Sequence, residues 1–76
     1  MQVKRNQPEG FRERLYDVFI KSGITITDIA KRTGVSRSLI YGYLYDDVVP
    51  SVTILVKLCA IFNVSSDYLL FGKKVG

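Results

Sequence analysis

The side chains of this sequence that could carry out chemistry are few, and their spacing does not form a catalytic set. The 76-residue chain has no histidine, the side chain most often used as a general base and a common transition-metal ligand. Its single cysteine, Cys59, lies in an apolar run, which is typical of a small buried hydrophobic residue and not of a reactive thiol. The adjacent carboxylates of Asp46 and Asp47 are too few to surround a metal ion. The sequence therefore predicts no enzyme, no cofactor, no metal site and no small-molecule ligand.

The chemistry that remains is the binding of anions by basic and hydroxyl side chains. Lysine and arginine number 11 against 7 acidic residues, which gives a net charge of +4. This basic balance is compatible with a nucleic-acid partner, with an anionic membrane surface, or with neither. No apolar run approaches the roughly 18 residues that a membrane helix needs, and no apolar stretch follows the basic N-terminus as it would in a signal peptide. We therefore expect no membrane partner, and the lone cysteine fits the reducing cytoplasm.

Apolar residues at helical spacing, separated by capping and turn residues, predict five helices that would position these groups. The first helix starts at Asn6 or Glu9 and ends at Gly23. The other four each follow a hydroxyl cap. The second is predicted from Ile26 to Thr33 after Thr25, and the third from about Arg37 to Tyr45 after Ser36. The fourth lies between its cap Ser51 and its stop Asn63, and the fifth between its cap Ser65 and its stop Gly72. No stretch alternates convincingly at a period of two, so we predict an all-α chain. Its parts are a basic N-terminal arm at residues 1–8, a folded domain at 9–72 and a tail at 73–76.

The second and third predicted helices meet the requirements of a helix-turn-helix, in which two short helices are joined by a tight turn. Ala30 is small enough for the next helix to cross closely, and Gly34 supplies a turn residue free of Cβ strain. Ile40 and Tyr43 would anchor one face of the third helix in the core. The opposite face is then free to enter a major groove about 12 Å wide.

The stretch from Ile24 to Tyr41 resembles the lambda-repressor-like helix-turn-helix family of the Cro/cI or XRE type. The similarity continues without a gap to about residue 71, through Pro50-Ser51, Leu55, Lys57-Leu58, Val64-Ser65 and Asp67-Tyr68-Leu69-Leu70. Single letters of this pattern are weak signals, but the ordered set is specific. The resemblance implies a compact five-helix bundle that binds double-stranded DNA as a dimer and recognises it with its third helix.

The third predicted helix carries the residues to which the resemblance assigns base recognition. These base-reading candidates are Arg37, Ser38, Tyr41 and Gly42. An arginine near the start of such a helix can donate two hydrogen bonds to O6 and N7 of guanine, which discriminates between bases by about 1–3 kcal/mol. The alternatives for Arg37 are a phosphate contact or a solvated surface arginine. Gly42 matches a base-facing position but has no side chain with which to distinguish bases.

Phosphate contacts are expected from the second helix and from both ends of the third. The candidates are Thr25, Thr27, Lys31, Arg32, Ser36 and Tyr45. The resemblance assigns Ser36 to capping and to phosphate contact, and backbone N–H groups at the start of the second helix also favour a phosphate. Helix capping alone accounts for Thr25, and a solvated helix surface accounts for at least one of Lys31 and Arg32. The basic arm would add attraction without specificity.

Three features depart from the pattern of the family. Ile26 stands where a glutamine usually orients on phosphate, and Leu44 replaces a frequent glutamate, which we interpret as a packing exchange. Asp46 and Asp47 fall where glycine and basic residues commonly lie beside the DNA backbone. Because carboxylates repel phosphates, either DNA binding is weakened or this loop points away from DNA.

The fourth predicted helix has more apolar residues than one core-facing stripe can use. Ile54 and Ile61 are seven residues apart, hence on one face, and lie off the stripe that faces the core. An exposed apolar surface usually indicates a partner, whereas scattered apolar residues on a surface need no explanation. A two-fold protein matches two DNA half-sites about 34 Å apart or a multiple of that. We predict a homodimer whose interface candidates are Ile54, Ile61, Tyr68 and Phe71.

The sequence supports two hypotheses of function from different classes. The first is a bacterial or phage-encoded, nucleoid-associated regulator of the phage or prophage repressor type, which binds a palindromic operator in the cytoplasm. The second is a protein-interaction module on the same fold that has lost DNA binding, because Gly42 cannot distinguish bases and Asp46 and Asp47 repel phosphate. Retention on heparin or on generic duplex DNA distinguishes the two.

Overall fold

The computed structural model describes residues 8–73, and these form five α-helices without a strand. The helices are α1 (Phe11–Ser22), α2 (Ile26–Thr33), α3 (Arg37–Tyr45), α4 (Val52–Phe62) and α5 (Ser66–Phe71). The prediction of an all-α fold with five helices is confirmed. Most of the predicted basic arm and of the tail lies outside the described residues.

The start of α1 is the one helix boundary that the sequence analysis predicted wrongly. Gly10 adopts a left-handed conformation with a φ of 79°, and the N–H of Phe11 donates to the carbonyl of Pro8 across 2.9 Å. Residues 8–11 therefore form a turn that a helix starting at Asn6 or Glu9 would abolish. Glycine adopts this backbone conformation at no steric cost, which explains its position there.

The N-termini of α2 to α5 share one device, a hydroxyl that accepts a hydrogen bond from the N–H three residues later. The four acceptors are Thr25, Ser36, Ser51 and Ser65, and the N···O distances are 3.1, 3.1, 3.3 and 3.0 Å. Each such cap stabilises a helix by about 1 kcal/mol because it satisfies a backbone donor that has no partner inside the helix. These caps fix the helix starts that the sequence predicted.

The core lies where all five helices converge. Its buried apolar side chains are Phe11, Leu15, Ile29, Ile40, Tyr43, Leu44, Leu58 and Leu69. α3 packs against α1 and α2, whereas α4 contacts α1, α2 and α5. The side of α3 that faces away from α1 and α2 is therefore covered by no other helix of the described domain.

The turn between α2 and α3 is held by a buried threonine that the sequence analysis did not single out. The Thr33 hydroxyl donates to the carbonyl of Ile29 at 2.8 Å, and the same oxygen accepts from the N–H of Val35 at 3.4 Å. The Lys57 ammonium of α4 donates to the Thr33 carbonyl at 3.4 Å. Gly34, with a φ of 82°, reverses the chain directly afterwards. Together these contacts fix the direction in which α3 leaves the turn.

Candidate nucleic-acid interface

The first turn of α3 presents polar side chains to solvent. Ser36, Arg37 and Ser38 are exposed, and with Tyr41 they line one open recess of the surface. The Ser36 hydroxyl is occupied by the N–H of Leu39, so it acts as the cap that the sequence predicted. The Arg37 guanidinium keeps all its donors available at the end of the helix where backbone N–H groups also favour anions.

The three tyrosines of α3 divide between core and surface. Tyr43 is buried beside Ile40, whereas Tyr41 and Tyr45 are each about half exposed. At 3.6 residues per turn, the core-facing residues leave Ser38, Tyr41 and Tyr45 on the outward side. Three of the predicted DNA-contacting residues thus share one face of a short helix.

Tyr45 is held on this face by a second aromatic contact that the sequence analysis missed. The rings of Tyr41 and Tyr45 stack with centroids 6.0 Å apart, and the ring of Tyr16 on α1 meets Tyr45 edge-on at 5.7 Å. Desolvation raises the pKa of Tyr45, and the charge and side-chain hydrogen bond of Tyr16 raise it further. A tyrosine phenol is already protonated at neutral pH, and the upward shift leaves Tyr45 in that state with one O–H donor. Spacing along the chain gives no signal of this contact, because Tyr16 and Tyr45 belong to different helices.

Gly42, which the resemblance matched to a base-facing position, is covered by a neighbouring side chain. It is buried, because the Val48 side chain from the loop after α3 lies against it. A Cβ atom at this position would lie 3.0 Å from Cγ2 of Val48. A side chain at residue 42 would therefore require Val48 to shift by a few tenths of an ångström, and the assignment of Gly42 as a base-facing position stays a prediction.

On α2 the predicted phosphate ligands fall into two groups. Thr25, Thr27 and Lys31 line an open recess at the start of the helix, although the Thr25 hydroxyl already caps α2. Arg32 lies elsewhere on the helix surface and forms an ion pair with Asp28 at 3.1 Å. Because Thr25 and Arg32 already have these partners, Lys31 and Thr27 are more available to a phosphate.

The acidic pair after α3 is partly neutralised by α1. The Arg12 guanidinium donates to the carbonyl of Tyr45 at 3.2 Å and lies 3.9 Å from a carboxylate oxygen of Asp47. A cation at this point is favourable because the C-terminus of a helix carries partial negative charge. Asp46 is exposed, and its N–H donates to the carbonyl of Gly42 at 3.0 Å. Repulsion of phosphate by this loop is reduced at Asp47 and persists at Asp46.

Few basic side chains of the described residues are free to bind an anion. Among the lysines and arginines between residues 8 and 73, those whose side chains have no hydrogen-bond or ion-pair partner are Lys31, Arg37 and Lys73. Lys31 and Arg37 belong to α2 and α3. The available positive charge is thus concentrated on the helix-turn-helix, with Lys73 following α5.

The residues predicted for a dimer interface differ in exposure. Ile54, Ile61 and Tyr68 are partly buried and pack against the core, whereas the Phe71 side chain is 64% exposed. The expectation that Ile54 and Ile61 lie clear of the core is therefore corrected. The exposed apolar residues of α4 are Val52 and Val56, with side chains one helical turn apart and 77% and 59% exposed.

Two other features are absent from the described part of the chain. No helix there is long and apolar enough to cross a membrane. No group of three or more cysteine and acidic side chains among residues 8–73 is arranged to hold a metal ion.

Comparison with known proteins identifies the fold. A family model described as helix-turn-helix, HTH_3, matches residues 15–69, from the middle of α1 to the middle of α5. No curated protein and no solved structure gives a significant match. The matched segment contains α2, α3 and the turn fixed by Thr33 and Gly34, and it covers more than two thirds of the chain. The protein therefore belongs to the XRE, or lambda-repressor-like, helix-turn-helix family of DNA-binding transcriptional regulators, which are generally not enzymes.

Proposed function

We propose that this protein is a repressor of the phage or prophage type that binds a palindromic operator as a homodimer, with α3 in the major groove. The observation that carries the proposal is the free, exposed Arg37 in the first turn of a helix whose outer side no other helix covers. Occupation of an operator that overlaps a promoter is sufficient to block transcription. On this proposal the protein acts in the cytoplasm at the nucleoid.

In this proposal the exposed polar side chains of the helix-turn-helix divide between base edges and phosphates. Arg37 donates to O6 and N7 of a guanine, and Ser38 and Tyr41 contact neighbouring base edges. Phosphate oxygens on either side accept from Thr27, Lys31 and the phenol of Tyr45. The contribution of Arg32 is smaller because Asp28 already neutralises its charge.

Exposed apolar side chains support the proposed homodimer. Val52 and Val56 share one face of α4, and Phe71 ends α5. Ile54, Ile61 and Tyr68 would then support the interface from the edge of the core. Analytical ultracentrifugation of a Val52→Lys, Val56→Lys variant and of a Phe71→Lys variant tests each surface. If neither the mass nor the affinity for a palindromic operator changes in either variant, these surfaces do not form the dimer.

The experiment that tests the proposal is selection from a random duplex library, followed by affinity measurement on the enriched sequence across a salt series. We expect a palindrome. Lys31 is the free cation assigned to phosphate in each protomer, which makes two per dimer, so log affinity should fall against log salt with a slope of about −2 or steeper. A chain that enriches no sequence and is not retained on duplex at low salt is not a DNA-binding regulator.

The role of Arg37 is tested separately on a panel of operator mutants. Arg37→Ala should relax the preference for guanine at one position of each half-site by about 1–3 kcal/mol. Arg32→Ala is the matched control, because it removes an arginine that is already ion-paired on the neighbouring helix. Uniform weakening of all sequences by Arg37→Ala would instead assign Arg37 to the phosphate backbone.

The acidic loop supports the second candidate function, a protein-interaction module without DNA binding. Asp46 is exposed at the end of α3, and the neutralisation of Asp47 by Arg12 is only partial at 3.9 Å. Failure to bind heparin and generic duplex at low salt, together with the apolar surfaces at Val52, Val56 and Phe71, would favour this function.

A further inference from the structure

The middle of the outward face of α3 is occupied by a side chain from the loop that follows it. Gly42 lies one turn after Ser38 on the side of α3 away from the core, yet it is buried. A Cβ atom on Gly42 would lie 3.0, 3.3 and 3.8 Å from three carbons of Val48. Val48 itself is 37% exposed. At this turn of α3 the isopropyl group of Val48 therefore lies where a side chain of residue 42 would stand, and it is partly exposed there.

We infer that Val48 is a specificity-determining residue that recognises the C5-methyl group of a thymine in the major groove, an inference that rests on the proposed function. The side chain of valine carries no donor or acceptor, so it cannot distinguish bases by hydrogen bonds. Thymine C5-methyl is the one apolar group among the major-groove edges of the four unmodified bases. An apolar side chain against a cytosine amino group or a guanine carbonyl would instead desolvate a polar atom without replacing its hydrogen bond.

The loop holds Val48 in place before DNA binds. At its start, the N–H of Asp46 donates to the carbonyl of Gly42, and Asp47 lies beside Arg12 of α1. At its end, Pro50 has a fixed φ and restricts Val49 to extended conformations. The β-branched side chain of Val48 has few rotamers of its own. The Val48 side chain therefore loses little conformational entropy when it contacts a base, which is the advantage of a preorganised contact.

In this arrangement Gly42 has a function of its own, which is to leave room for the side chain of Val48. A Cβ atom at residue 42 would lie 3.0 Å from Cγ2 of Val48, so Val48 would have to shift by a few tenths of an ångström to accommodate it. The loop thus supplies the apolar group at the turn of α3 where the helix itself supplies none. A Gly42→Ala substitution should shift Val48 and weaken the same thymine preference without altering the guanine preference of Arg37.

The test uses the full chain and the operator obtained by selection, with each thymine replaced in turn by deoxyuridine, which lacks only the methyl group. We expect one deoxyuridine position per half-site to reduce wild-type affinity by about three- to fivefold, the effect of one buried methyl group. Val48→Ala should lose affinity for the normal operator and show no further loss with deoxyuridine at that position. Val49→Ala, a change in the same loop, should retain the wild-type sensitivity.

A second variant, Val48→Thr, keeps the shape of valine and replaces one methyl by a hydroxyl, so the test does not depend on Val48→Ala remaining folded. Equal sensitivity of wild type, Val48→Ala and Val48→Thr to deoxyuridine at every position would overturn the inference. In that case an enriched palindrome with guanine read by Arg37 would leave the proposed function intact. If the wild-type chain enriches no sequence, the proposed function fails, and the inference fails with it.

Discussion

Arg14 joins the two ends of the domain, and its removal should destabilise the fold more than any other change to a charged side chain. Its Nε donates to the carbonyl of Leu69 at 3.0 Å, and its Nη2 donates to the carbonyl of Glu9 at 3.0 Å. The guanidinium also lies against Gly10 and Gly72, where a Cβ atom on either residue would meet Arg14 Nη1. One side chain thus connects α1, the turn before it and the end of α5.

The size of the effect follows from these contacts. A hydrogen bond to a charged group is worth about 1.5–3 kcal/mol when partly buried, and less when exposed. The bond to Leu69 is partly buried and the bond to Glu9 is exposed. Arg14→Met keeps the aliphatic packing of the stem and removes both bonds, so we expect a loss of about 2 kcal/mol. For a domain of this length, that corresponds to a fall in Tm of roughly 8–16 °C.

Urea unfolding monitored by circular dichroism measures the loss, and hydrogen exchange locates it. The amides of α5 should lose protection first, because a helix of six residues has little stability without its contact to α1. Arg32→Met is the control, since it removes an arginine in an exposed i,i+4 ion pair and should change stability by less than about 0.5 kcal/mol. Equal urea midpoints for the two variants would refute the argument that Arg14 holds the ends together.

Three further predictions concern charge and ionisation. Asp47→Asn removes a carboxylate after α3 and the ion-pair partner of Arg12, which keeps its bond to the Tyr45 carbonyl. Affinity for generic duplex at low salt should therefore rise by about two- to fivefold, as fluorescence anisotropy would show. An unchanged affinity means that the loop points away from DNA. Burial raises the pKa of the Cys59 thiol, so its alkylation by iodoacetamide at neutral pH should be slower than that of a free cysteine peptide and should match it in urea. Burial also raises the pKa of the Tyr43 phenol above its ordinary value of 10.0. The unfolded chain then releases this proton first, so the stabilisation from Tyr43 is complete below pH 10 and is lost as the pH rises through the folded pKa. The urea midpoint of the wild type should therefore fall more steeply above pH 10 than that of Tyr43→Phe. An equal fall in the two proteins would contradict this prediction.

Helix positions could be predicted from the sequence because their signals are local. Each of Thr25, Ser36, Ser51 and Ser65 precedes a run of apolar residues at helical spacing, and each accepts the hydrogen bond that the pattern implies. The same local logic failed at α1, where Pro8 favoured an earlier start. The left-handed turn at Gly10 decided that boundary, and a glycine before a helix does not by itself specify its φ.

The exposure of α4 could not be predicted from one apolar stripe. A helix that packs against one neighbour buries a narrow arc, but α4 contacts α1, α2 and α5. Its buried arc is therefore wide enough to include Ile54 and Ile61 at the edges. Val52 and Val56 remain outside that arc, and only the arrangement of the three neighbouring helices distinguishes them from the isoleucines.

The features of the candidate site that could not be predicted depend on contacts between distant parts of the chain. In the sequence, Arg14 resembles a solvated residue of an amphipathic helix. Its partner, the Leu69 carbonyl of α5, lies 55 residues further along the chain. Tyr16 and Tyr45 meet only because α1 and α3 pack side by side. Gly42 matched a base-facing position by alignment, yet the course of the loop brings Val48 against it. None of these contacts leaves a periodic signal in the sequence.

If α3 recognises DNA as proposed, contacts at its two ends allow a helix of only nine residues to do so. An isolated helix of this length is marginal in water, so α3 depends on the domain for its structure. Its start is fixed by the turn at Thr33 and Gly34, and its end by the bond from Arg12 to the Tyr45 carbonyl. Because both ends are fixed in the free protein, DNA binding does not have to order α3, and the entropy that ordering would cost is not lost on binding. Substitutions at these two ends should therefore change affinity for an operator through the orientation of α3, whereas Arg14→Met should change it only through the fraction of chain that is folded.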